Sequence, residues 1–227
     1  NTSSSIDLIA IQGPKSRGIL ENYTNIDLKN IDYYHFSIAN VCGSPVTLSR
    51  TGYTGELGYE IYADGNAIKN IWRTILGSEE SVIPAGLGCR DTLRMEMKYV
   101  LYGNDISEKT NPIEAGLGWI TKTNKTSFVG KEKLLDLQLS HSKKLICFAM
   151  IDRGIPRPGY KIHSDLGVIG SVTSGTQSPS LKKGIGLAYV KKEFSGVGTS
   201  LFIDVRGRQL RCEVVKPPFY KNGSVFS

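Results

Sequence analysis

The 227 residues set a prior of one or two domains. Apolar residues make up 40% and charged residues 22%, which excludes a disordered chain, and no apolar run approaches the ~20 residues of a membrane helix. The 28 basic and 21 acidic side chains leave a net charge of +7, which favours an anionic partner without choosing one.

The chain opens NTSSSIDLIA, with no Met, no basic n-region and no Arg-rich amphipathic stretch. No targeting peptide is read there, and a start at Asn is taken as cut, processed or truncated. Mixed alternation and β-branched residues predict a strand over 4–12. Gly13-Pro14 turns the chain, and Pro14 suits the first position of a short helix over 15–23, where its missing N–H has no partner to lose. A second strand is predicted over 59–62. Asp64-Gly65-Asn66 then supplies a turn and an N-cap. Ala67, Ile68, Ile71, Trp72, Ile75 and Leu76 recur at helical spacing, and Gly77 stops that helix. Further helices are predicted over 86–97 and 130–139. This first portion reads as α+β.

Beyond residue 140 the helical spacing disappears. Six short strands are predicted over 145–152, 159–164, 168–175, 185–191, 200–207 and 210–216, separated by clusters of turn residues. Leu201, Ile203 and Val205 alternate with Phe202, Asp204 and Arg206, and Leu210, Cys212 and Val214 do the same in the next run. Two such runs joined at Gly207 mark a hairpin. Six strands at this spacing imply a small barrel or sandwich. The boundary falls at Ser140-His141-Ser142, giving domains 1–140 and 141–227. Residues 1–138 carry 14 basic and 16 acidic groups, a net of −2, and residues 139–227 carry 14 and 5, a net of +9. The excess is either a solvated surface or a docking face for an anionic ligand or protein.

Cysteine and histidine exclude several chemistries. Cys42, Cys89, Cys147 and Cys212 are isolated, with no C-x-x-C, so they read as small buried hydrophobes in a reducing cytosol or mitochondrial matrix. His35, His141 and His163 have no partner at metal-ligand spacing, so no metal site is expected. G-x-S-x-G, the P-loop and a strand-following G-x-G-x-x-G are absent.

Three stretches carry chemistry. Ser49 to Glu60 reads SRTGYTGELGYE. Its three glycines permit positive φ and close approach to a ligand. Tyr53 and Tyr59 offer flat amphipathic surfaces. Glu60 opens a strand that reads as buried, so its carboxylate must be paired or hydrogen-bonded. Gly86 to Glu96 places Arg90 and Arg94 one helical turn apart on one face. The third stretch runs from Leu101 to Asp105 and from Asn111 to Trp119. Purely structural readings exist for each: a turn with a partly buried salt bridge, an Arg90-Asp91 ion pair, and a core Trp119. Taken together, a carboxylate, a guanidinium and aromatics on Gly-loosened backbone suit a planar heterocycle. A carboxylate accepts two parallel bonds from an N–H and an exocyclic amine, the edge that a pterin presents.

These stretches resemble the glycine-cleavage T-protein family, the aminomethyltransferases. The matching blocks are 8–20, 49–62, 84–97, 101–119, 128–134, 152–160, 169–190 and 214–220, in order along almost the whole chain. The resemblance implies an α+β, three-lobed folate-binding cloverleaf with a C-terminal antiparallel β-barrel. It implies transfer of a methylene group from the aminomethyl-lipoyl arm of H-protein to tetrahydrofolate, with release of ammonia. It also implies that Glu60 holds the pterin, that Tyr53 and Arg90 contact the folate, and that Trp119 and Tyr220 close the channel. The partners implied are lipoylated H-protein and folate, with neither nucleic acid nor membrane.

One departure is expected to matter. Family members are longer, and their N-terminal portion carries the Asp beside the reactive folate nitrogen. Nothing in residues 1–40 resembles its surroundings. No catalytic residue is therefore assigned in this chain, which is expected to be inactive alone. The neighbouring alternative is another tetrahydrofolate-dependent demethylase of this fold, acting on a sarcosine, dimethylglycine or sulfonium donor. The Cys-containing loop of the tRNA-modifying relatives is not found. A basic nucleic-acid-binding barrel and a bare scaffold are the readings from other classes. Few aromatics alternate with Lys or Arg in the barrel, which disfavours the first.

Overall fold

A computed structural model describes residues 1–78 and 82–226. By contacts the chain divides into two compact units, Asn1–Leu93 with Asn222–Ser227, and Arg94–Lys221.

The first unit is built on a four-stranded antiparallel sheet. Its strands are β1 (Asp7–Gln12), β2 (Phe36–Val41), β3 (Ser44–Ser49) and β4 (Gly58–Ala63), in the order β1-β4-β3-β2. Helices α1 (Ser16–Glu21) and α2 (Gly65–Leu76) pack on it. The Asp64 carboxylate accepts the N–H groups of Asn66 and Ala67 at 2.9 and 3.2 Å, which makes it the expected cap of α2. Ala67, Ile68, Ile71 and Ile75 face the core, whereas Trp72, expected on the same stripe, is 44% exposed. Gly77 ends the helix without turning left-handed, at φ −81°.

The β2–β3 hairpin was not among the expected strands. Its turn is Cys42-Gly43, both at positive φ, 51° and 81°. That is the primed geometry a tight hairpin needs, in a dipeptide less telling than Asn-Gly. Pro45 also argues against a strand in the middle of a sheet. It is accommodated because β4 pairs with β3 only over Thr47–Ser49, so no β4 partner lies opposite Pro45.

Tyr59, Ile61, Leu48, Val46 and Val41 form the helix-covered face and its core. The opposite face carries Leu8, Phe36, Ile38, Thr47, Glu60 and Tyr62, aligned by the pairs Leu8↔Tyr62, Ile38↔Thr47 and Ser49↔Glu60. It is the open face: Phe36 and Ile38 are 66% and 72% exposed.

Helix α3 (Leu87–Glu96) runs across the division between the units, and α4 (Lys131–Ser140) follows in the second. The six strands predicted after residue 140 are all present. They are β5 (Lys143–Met150), β6 (Lys161–Ser164), β7 (Gly167–Ser178), β8 (Lys183–Lys191), β9 (Ser200–Val205) and β10 (Arg208–Val215). They close into an antiparallel barrel in the order β10-β5-β8-β7-β6-β9. The β9–β10 hairpin turns on Arg206-Gly207, at φ 57° and 83°, as the Gly207 signal implied.

Alternate residues of β5, namely Ile146, Phe148 and Met150, fill the barrel. Leu145 and Cys147 point outward against Met95, Ile185 and Leu187. Both faces of β5 are thus buried, which explains its continuous apolar run. The expectation of four buried cysteines holds for Cys147 and Cys212 only. Cys42 is half-buried in its turn and Cys89 is exposed on α3.

Candidate functional site

Glu60 sits mid-strand on β4, half-buried on the open sheet face. Its Oε2 accepts the hydroxyl of Thr51 and, at 3.3 Å, that of Tyr62. Thr51 Oγ1 also lies 2.9 Å from Ser49 Oγ. A hydroxyl carries one proton and a carboxylate only accepts, so Thr51 donates to Glu60 and Ser49 donates to Thr51. No hydrogen bond reaches Oε1 of Glu60 among the described residues. Burial, and then the neighbouring Glu60 charge and bond, push the Tyr62 phenol above its ordinary range. The expectation that this carboxylate is hydrogen-bonded is met by hydroxyls.

Tyr53 and Arg90 come together: the Arg90 guanidinium stands 4.8 Å from the centroid of the Tyr53 ring. Such a pair presents a cation on an aromatic plane, and Arg90 is itself exposed on α3. Tyr59 does not join them. It is fully buried, with its OH donating to Leu28 O at 3.3 Å and accepting from Arg17 Nε at 3.1 Å, so it offers no surface to a ligand.

The glycines of this stretch act differently from the expectation. Only Gly55 adopts positive φ, 76°. At Gly52 a Cβ would lie 2.8 Å from the amide carbon of Gln12, and at Gly58 it would collide with the same carboxamide. These two glycines make room for Gln12. Gln12 Nε2 donates to Thr51 O at 3.2 Å and to Tyr59 O at 3.3 Å, and its Oε1 accepts from Thr54 Oγ1 at 3.0 Å. One side chain on β1 therefore holds the loop at three points beside Tyr53 and Glu60. Sequence reasoning missed Gln12. Its one signal was a polar residue ending an apolar strand directly before Gly13-Pro14.

The same loop is anchored from the far end of the chain. Arg50, 3% exposed, donates to Val225 O at 3.0 Å and Gly58 O at 3.4 Å, and lies 5.4 Å from the Tyr59 ring. Burial lowers its pKa, partly offset by Tyr59. Glu56 accepts from the backbone N–H of Ser224 at 3.0 Å and from its hydroxyl.

In the second unit Arg94 has a different role from Arg90. It is 1% exposed, paired with Asp105 at 2.6 Å, and donates to Ser174 Oγ at 2.9 Å and Tyr99 O at 3.1 Å. Asp105 also accepts from the Leu101 N–H and the Thr173 hydroxyl. Glu96 accepts from Ser178 and Ser180. This network fastens the end of α3 to the barrel strand β7 and the turn after it. Trp119 is 68% exposed, which removes its reading as core. Tyr220 is half-buried and its backbone N–H donates to Glu96 O at 3.0 Å. Among the described residues no three His, Cys, Asp or Glu side chains cluster as metal ligands do, and no helix is long and apolar enough to cross a membrane.

Residues 1–125 match the family model described as GCVT N-terminal domain, and residues 143–221 match the glycine cleavage T-protein C-terminal barrel domain. The chain belongs to the glycine cleavage T-protein family. Among its relatives is an aminomethyltransferase of Porphyromonas gingivalis, 50% identical over 228 residues, 97% of this chain and 63% of the relative. Another, from Halothermothrix orenii, is 48% identical over 96% of this chain and 62% of its own length. The crystal structure of glycine cleavage system aminomethyltransferase T from Bartonella henselae superimposes with a TM-score of 0.88 at 29% identity. The match covers 96% of this chain and 61% of that one. The chain thus spans a little under two thirds of the length of these family members. Their shared α+β fold with its closed barrel is the architecture described above.

Proposed function

We propose that this chain is the folate-binding part of a tetrahydrofolate-dependent aminomethyltransferase. It would serve transfer of a methylene group from aminomethyl-lipoyl H-protein to tetrahydrofolate with release of ammonia. The observation that carries the reading is Glu60: a carboxylate on an open, largely apolar sheet face, held by hydroxyls on one oxygen and, among the described residues, unengaged on the other. A pterin edge supplies the N–H donors that such an oxygen accepts, and the apolar face suits a flat ring. The Tyr53–Arg90 pair adds a cation on an aromatic plane for the rest of the folate. Trp119 and Tyr220 are proposed as folate contacts on the strength of the family resemblance, and the exposure of Trp119 is compatible with that role.

The reaction asks for positioning above all. A folate nitrogen attacks the carbon bearing the departing amine, the amine leaves protonated, and the cationic carbon needs nearby negative charge. Holding two large substrates together supplies much of the rate. The residues described here bind and orient the folate. The bacterial relatives support a cytoplasmic setting.

Calorimetric titration of residues 1–227 with tetrahydrofolate tests the reading. Saturable binding is expected, and Glu60→Ala is expected to weaken it by ~1–3 kcal/mol. Unchanged affinity in a folded Glu60→Ala variant would contradict the assignment. For the barrel we propose docking of an acidic H-protein surface. Its exposed cations include Arg153, Lys182 and Lys183, which line one cleft. Affinity for H-protein is then expected to fall as salt rises, and an affinity flat across ionic strength removes the idea.

A further inference from the structure

The fork pictured from sequence, with one ligand bond on each carboxylate oxygen, does not fit the geometry at Glu60. Oε2 already accepts from two hydroxyls, Thr51 and Tyr62, which occupy both of its lone-pair directions. The remaining acceptor capacity lies on Oε1. Thr51 is itself held from two sides: Ser49 Oγ lies 2.9 Å from its hydroxyl, and Gln12 Nε2 donates to its carbonyl at 3.2 Å. The Thr51 rotamer and backbone are thus set before any ligand arrives.

We propose that Thr51 is the positioning residue of the site: it holds Oε2 of Glu60, so that adjacent ligand N–H donors converge on the single oxygen Oε1. The inference rests on the folate reading above. Thr51 touches no ligand in this arrangement and acts through Glu60. Its removal therefore has a defined sign. If the hydroxyl positions the carboxylate, losing it weakens ligand binding. If it merely competed for Oε2, losing it would tighten binding.

The experiment measures tetrahydrofolate affinity by calorimetry on residues 1–227, for wild type, Thr51→Val, Thr51→Ser, Glu60→Gln and the Thr51→Val/Glu60→Gln double variant. Thr51→Val keeps the shape and removes the hydroxyl. It is expected to weaken binding about tenfold, while Thr51→Ser stays within about twofold of wild type. In the Glu60→Gln background Thr51→Val should add nothing, because the group it serves is already changed. A merely structural threonine would weaken binding equally in both backgrounds. Unchanged or tighter binding in Thr51→Val, or a full effect persisting in Glu60→Gln, overturns the proposal. Should Thr51→Val lose its cooperative melt, Tyr62→Phe carries the same test. It removes the second donor on Oε2 and is expected to weaken binding, with unchanged affinity counting against the proposal. A wild-type chain that binds no tetrahydrofolate removes the folate reading and this inference with it. Wild-type binding with an indifferent Thr51 removes the inference alone.

Discussion

Gly58→Ala is the sharpest probe of how the Gly-rich stretch is built. Gly58 opens β4 directly opposite Gln12 of β1. Its backbone is not left-handed, so alanine has no conformational objection. The obstacle is the Gln12 carboxamide, which occupies the space of the new methyl. That group is the far end of a flexible side chain, so it yields and the backbone stays. In yielding it gives up its bonds to Thr51 O, Tyr59 O and Thr54 Oγ1. At about 0.5–1.5 kcal/mol each, the three amount to about 1.5–4.5 kcal/mol. Alanine returns only about 0.4–1 kcal/mol by restricting the unfolded chain. The net expectation is a loss of about 0.5–4 kcal/mol, seen in urea as a lower midpoint with an unchanged slope. The decisive arm is the Gln12→Ala background. There the three atoms nearest to the new methyl, all of the Gln12 carboxamide, are gone, so Gly58→Ala should cost far less than in the wild-type background. The same loss in both backgrounds would refute the packing argument, since two residues that interact only through this collision must be non-additive.

Two other expectations concern the second unit. Arg94→Met leaves the buried Asp105 carboxylate without its cation and is expected to cost about 3–5 kcal/mol, only part of it recovered when Asp105→Leu is added, because the Leu101 N–H then loses its acceptor. A loss under about 1 kcal/mol for the single variant in urea unfolding would mean that the pair is not the anchor described. Alkaline pH should also destabilise the fold. Burial pushes Cys147 and Cys212 from 9.0 to about 12, and Tyr189 from 10.0 to about 12. Across that window the folded state keeps protons that the unfolded chain has released, so stability falls as pH rises, by up to about 1.4 kcal/mol per pH unit for each group. Lys98, lowered by burial, works in the opposite sense and offsets part of it. Urea midpoints should drop between about pH 8 and about pH 10.5, and a flat profile would contradict the burial argument.

The elements that were legible share one property: their signal is local. The stripe Ala67, Ile68, Ile71 and Ile75, the Asp64 cap, the six barrel strands and the turn at Gly207 all depend on neighbours a few residues away. The β2–β3 hairpin was hidden because its turn uses Cys42-Gly43 and its inner strand contains Pro45. Both look unfavourable until the short β4 pairing is known. At the site, Glu60, Tyr53 and Arg90 were read from residue type and resemblance, and the Tyr53–Arg90 contact brings two of them together. Tyr59 was misread because nothing local distinguishes a strand tyrosine facing the core from one facing a ligand.

The sequence by itself determined the α+β and barrel classes, the family, and the acidic-to-basic change along the chain. The family, and with it the choice of barrel over sandwich, follows from the resemblance of eight ordered blocks; the rest follows from composition or short-range periodicity, which a linear string records directly. Only the tertiary structure decided what the glycines are for and which oxygen of Glu60 is available. Gly52 and Gly58 serve Gln12, some 40 residues earlier, because the β1–β4 register lays that side chain across them. Thr51 and Tyr62 meet on Oε2 because one follows β3 and the other sits two residues along β4 on the same face. Such pairings depend on strand order and register, and those are fixed by burying the helix-covered face, a free energy summed over the whole unit and written at no single position.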